Sequence, residues 1–78
     1  MTGWIICGYE SEGTPTNEVT AIWNGAKLIK TSDINKARFL PQDSTTLNQL
    51  RKTKAGVQGS YTDYDIRAVK VSRALTMI

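Results

Sequence analysis

Seventy-eight residues leave room for one small core, and a chain near this size buries only about 60% of its extended surface. Ten lysines and arginines against seven aspartates and glutamates give a formal net charge of +3, which admits an acidic protein face or nucleic acid but lacks the dense basic cluster of a dedicated nucleic-acid domain. One cysteine and no histidine exclude an internal disulfide and the usual zinc sets, so added stability is left to a partner or to a second copy in a homodimer.

The first element is the apolar run Gly3 to Tyr9, rich in Trp, Ile and Tyr and short enough to read as a strand. Trp4, Ile6 and Gly8 share one side, and Ile5, Cys7 and Tyr9 the other, so the strand should be central or covered on both faces. No basic residue precedes this run, and it is too short for a signal-peptide core or a membrane span. With the unpaired cysteine, this predicts a cytoplasmic protein without membrane contact. Glu10 to Asn17 has the acids, Gly13 and Pro15 of a surface loop.

Val19 to Lys30 reads VTAIW-NG-AKLIK, an Asn-Gly pair between two alternating runs. That pattern predicts a β-hairpin closed by a two-residue type I′ turn. In that register Trp23 pairs with Ala26, Ile22 with Lys27 and Ala21 with Leu28. One face then carries Val19, Ala21, Trp23, Ala26 and Leu28, and the other, carrying Thr20, Ile22, Lys27 and Ile29, is too mixed to be dry.

Thr31, Ser32 and Asp33 offer capping oxygens, while Lys36 to Leu40 alternates Ala37 and Phe39 with polar residues. A turn over Thr31 to Asn35 and a strand through Phe39 is the favoured reading, because Pro41 disfavours helix at Leu40; helix over Ile34 to Phe39 is the alternative. Asp43 and Ser44 then supply an N-cap, Leu47 and Leu50 the anchors, and Gly56 a C′ position for a short helix ending in Arg51, Lys52 and Lys54. Gln58 to Asp63 reads as a loop and Tyr64 to Val71 as the last strand, with Ile66 and Ala68 on one side and Val69 and Val71 on the other. The tail from Ser72 is apolar at Leu75, Met77 and Ile78, and it either completes the sheet or meets another chain.

Groups able to carry chemistry are few. Cys7 lies inside an apolar strand, where a buried core thiol is the expected role. Asp63 and Asp65 form a D-x-D spacing without the further oxygen ligands of a calcium loop. The glycines match no phosphate-binding pattern. Neither an enzyme nor a cofactor or metal site is therefore expected, and a binding protein is. Its candidate contacts are Lys27, Lys30, Lys36 and Arg38 on and after the hairpin, with Tyr64, Arg67, Lys70 and Arg73 on the last strand. If that strand neighbours the hairpin, the two groups merge into one basic face.

The succession of Trp4 to Tyr9, WNGAKLIK, DINKARF, a capped helix and YDIRAVKVS resembles small phage-encoded accessory proteins, including some that resemble anti-CRISPR inhibitors. The resemblance implies a host-takeover protein that binds a host protein or ribonucleoprotein complex stoichiometrically and without catalysis, in the host-cell cytoplasm. The basic charge departs from the acidic DNA mimics among such proteins. A small nucleic-acid-binding module is the alternative. The expected fold is α+β, a small antiparallel sheet of about four strands with one packed helix.

Overall fold

Strand β1, Thr2–Glu10, is the axis of the protein, because every other part of the sheet is assembled on its two edges. The computed structural model describes residues 2–10 and 18–72. The loop expected over residues 11–17, the apolar tail and Arg73 lie outside the described residues. Strand β5, Tyr64–Ser72, runs antiparallel along the full length of one β1 edge, from Thr2 opposite Ser72 to Glu10 opposite Tyr64. Two short strands share the other edge. Strand β2, Ala21–Trp23, pairs at Cys7 and Gly8, and strand β4, Leu40–Pro41, pairs at Gly3 and Trp4. Strand β3, Leu28–Ile29, lies outside β2.

The fold is thus α+β, an antiparallel sheet with one helix, as the patterning indicates. Helix α1, Leu47–Ser60, covers the face bearing Ile6 and Ile66 with Leu50 and Val57, and Trp4, Trp23, Leu28 and Ala68 pack around them. The opposite face buries Ile5, Cys7, Tyr9, Ile22 and Val71 beneath Val19, Ile34, Ala37 and Phe39. β1 is apolar on both sides because both sides are covered.

The hairpin differs from the sequence reading in register. Trp23 pairs with Leu28 and Ile22 with Ile29, so the loop holds four residues, 24–27, not two. The cause is the Asn24 side chain. Its Oδ1 accepts from the N–H groups of Ala26 (3.0 Å) and Lys27 (2.9 Å), while the Asn24 N–H donates to the Lys27 carbonyl (3.0 Å). Asn24 therefore acts as a side-chain acceptor that builds a wider turn, and Gly25 supplies the positive φ of +102°. The shift is by two residues, an even number, so Trp23 and Leu28 still share a face. Val19 departs and joins the other cluster, Ala26 is exposed, and Ile22, expected on a half-wet face, is wholly buried.

Between β3 and β4 the capping signal prevails over the alternation. Asp33 caps a 3-10 turn at Ile34–Lys36, its Oδ1 accepting from the Asn35 N–H (3.1 Å), and the strand follows at Leu40–Pro41 rather than ending at Phe39. The helix also starts and stops later than expected. Thr46, not Asp43 or Ser44, is the N-cap, closing a capping box with Gln49. Gly56 lies inside the helix, which continues to Ser60 because Val57 buries against the sheet and its carbonyl accepts from Tyr61 N–H (3.0 Å). Leu47, expected as an anchor, is 63% exposed.

Candidate interaction surface

The two groups of cations singled out in the sequence lie on opposite sides of β1. Lys27 sits in the hairpin loop, Lys30 follows β3, Lys36 ends the 3-10 turn, and all three are exposed. Arg38 joins them: its N–H donates to the Trp23 carbonyl (3.0 Å), and its side chain lies so close to Gly25 that an added Cβ there would meet Arg38 Cδ at 2.9 Å. Tyr64, Arg67 and Lys70 lie on β5. Since β1 and β2 separate β5 from β3, about 14 Å of sheet intervenes, and the merged basic face expected from a neighbouring hairpin does not form.

The cations of β5 are turned inward across the sheet. The Arg67 guanidinium stands 4.6 Å from the centre of the Tyr9 ring and bridges to Asp65 at 2.7 Å; the Lys70 ammonium stands 5.9 Å from the Trp4 ring. Such contacts are worth about 0.5–1 kcal/mol each at exposed sites. Edge lysines and arginines commonly shield a strand by projecting past it. Here they lean toward β1. Asp65, one half of the D-x-D pair, is committed to Arg67.

The geometry of the outer backbone of β5 follows from the ladder. Gly8 and Thr2 present their carbonyls to the β2 and β4 side, accepting from Thr20 and Gln42, so the odd residues of β1 bond to β5. The paired odd residues of β5 then face β1, and Tyr64, Ile66, Ala68, Lys70 and Ser72 point their backbone groups outward. Gln58 occupies the first of these outward positions. Its Nε2 donates to the Tyr64 carbonyl (2.8 Å) and its Oε1 accepts from the Ile66 N–H (3.0 Å), the two bonds a neighbouring strand would make. Beyond it, no described residue bonds to the N–H or C=O of Ala68 and Lys70. At the far edge of the sheet Tyr61 plays a matching part, its hydroxyl accepting from the Leu28 N–H (3.1 Å).

Among the described residues, open clefts lie on two sides of the helix. One, of about 300 Å³, lies against β5 and is lined by Arg51, Lys54, Ala55, Gln58, Asp65 and Ile66. The other, of about 350 Å³, lies toward the hairpin and includes Trp23, Ala26, Lys52, Gly56 and Tyr61.

Cys7 is the expected core thiol. It is wholly buried, and desolvation pushes its pKa from the ordinary 9.0 up to about 11. Burial also raises the Tyr9 phenol, with Arg67 pulling the other way. On unfolding the thiol returns to its ordinary value, so the unfolded chain releases its proton first. The thiol's contribution to stability is therefore full below pH 9.0 and is lost as pH rises toward about 11. Urea midpoints measured across this window should fall in the wild type and fall less in Cys7→Ala, which lacks the group; parallel decline of the two would refute this account.

Among the described residues no helix is long and apolar enough to cross a membrane. No family model, curated protein or solved structure matches the chain. The contacts that sequence reasoning missed are the Gln58 amide and the Tyr61 hydroxyl. A lone glutamine or tyrosine near a helix end carries no sign of the strand it will reach.

Proposed function

We propose that this protein is a non-catalytic binding module that attaches stoichiometrically to a host protein or ribonucleoprotein, in the manner of the small phage-encoded inhibitors its sequence resembles. The observation that carries the reading is the outer edge of β5. A nine-residue strand pairs fully on one side, while on the other its groups at Ala68 and Lys70 meet no described residue. Open strand edges accept added strands from other chains, and a positive surround selects among partners by charge. A second reading, a nucleic-acid module, draws support from Lys52 beside Trp23 and Tyr61 in the hairpin-side cleft.

Affinity capture from lysate, with and without nuclease, tests the two. A defined protein complex that survives digestion is expected. A broad set lost with nuclease and with modest salt would favour the second reading and overturn the first.

A further inference from the structure

We infer that the end of β5, where the outward groups of Ala68 and Lys70 meet no described residue, captures an extended segment of the partner whose residues alternate acidic and apolar, and that Gln58 sets where the added strand stops. The inference rests on the binding role proposed above and specifies how it is carried out. Three features of the edge define the occupant.

The first is the Gln58 amide. It reproduces a strand neighbour at Tyr64 and Ile66 with bonds of 2.8 and 3.0 Å, so the edge is held in a geometry that accepts strand-type partners. Because those two groups are already satisfied, an incoming chain begins its ladder at the Ile66 carbonyl and the Ala68 N–H.

The second is the charge on the helix side. Lys70 shares the face of Trp4 and Ile66, and Arg51 and Lys54 line the cleft beside Ile66. Side chains of an added strand alternate between faces. Those on the helix side meet a cleft whose charged lining is Arg51, Lys54 and Asp65, the last already bridged to Arg67, with Lys70 on the same face, so the balance is positive and acidic residues fit there.

The third is the other side, where Val69 and Val71 precede the tail and Arg67 is already bridged to Asp65. Apolar, β-branched residues fit that face. A second copy of this chain is a poor occupant, because antiparallel pairing of two β5 strands brings the Arg51, Lys54 and Lys70 groups of both molecules to the same side of one sheet.

The test uses the full chain and two synthetic peptides, one alternating Glu and Val and one alternating Lys and Val, with amide hydrogen exchange read by NMR. In the free protein the Ile66 amide should be protected and those of Ala68 and Lys70 should exchange freely. The acidic peptide should slow exchange at Ala68 and Lys70, and the basic peptide should not. Ala68→Pro, which deletes an outward N–H, should weaken acidic-peptide binding about tenfold or more. Lys70→Glu, which keeps the backbone donor and reverses the charge, provides a second variant and should also weaken it. In Gln58→Ala the peptide's protection should spread to Ile66.

Protection of Ala68 and Lys70 in the free protein, or equal binding of both peptides, would overturn the inference. If Ala68→Pro still captures the same complex from lysate as the wild type, the edge assignment falls while stoichiometric binding stands. If the wild type captures nothing, the binding role itself falls.

Discussion

Proline at position 69 is expected to abolish the cooperative fold, while proline one residue earlier, at 68, is tolerated. Val69 lies opposite Ile5, in the odd set of β5 residues whose N–H and C=O bond to β1. Proline there deletes a central ladder donor and pushes its ring against β1, at a cost of about 3 kcal/mol or more. A domain of this size holds only about 4 to 12 kcal/mol in total. Ala68 has its N–H on the outer side, where proline removes a donor that no described residue uses, and proline is accepted on edge strands in that orientation. The change there should stay near 1 kcal/mol. Urea unfolding followed by circular dichroism checks the pair. Equal loss in both variants would mean that the ladder does not alternate as described.

Gly3→Ala should be the most damaging single-methyl change in the sheet. A Cβ at Gly3 would stand 2.5 Å from the Leu40 carbonyl oxygen and 2.5 Å from Phe39 Cζ. The phenyl ring can move, but the carbonyl belongs to β4, which pairs with Gly3 and Trp4. Relief therefore requires β4 to shift and Phe39 to lift from the buried cluster. Overpacking of this kind costs about 2–3 kcal/mol, a drop in thermal midpoint of about 10–20 °C at this chain length. Gly59→Ala is the matched control: nothing lies within 4 Å of its added Cβ, and a helical glycine replaced by alanine gains up to about 1 kcal/mol. A midpoint for Gly3→Ala within a few degrees of wild type would show that β4 yields freely.

These variants also mark how far the sequence alone reaches. β1 is legible as a continuous apolar run and β5 as an apolar pattern broken by Arg67 and Lys70, both too short for helix, and the two sides of β5 are read correctly from Ile66, Ala68, Val69 and Val71. The α+β class follows. Sheet order is not legible: periodicity tells which residues share a face but not which strand lies beside which, and the hairpin is separated from β5 by β1. Asn24 shows a finer limit. An Asn-Gly pair suits both a tight turn, through positive φ, and a wider one, through the asparagine side chain, and here the side-chain bonds to Ala26 and Lys27 hold the wider one. Gly56 likewise has the spacing of a helix terminator, yet burial of Val57 carries the helix onward. Of the candidate contacts, the residue types are readable, while the division of the described ones between two distant parts of the sheet is not.

One helix end attends to both rims of the sheet, Gln58 at β5 and Tyr61 at β3. Detachment of α1 thus strips two docking rims in a single event, on opposite flanks of the same molecule. Two unlike flanks pair head to tail, into rings where the rotation closes and into open chains where it does not. The helix is therefore fastened to both rims of the sheet as well as forming a lid on the core, so its loss would release those contacts together.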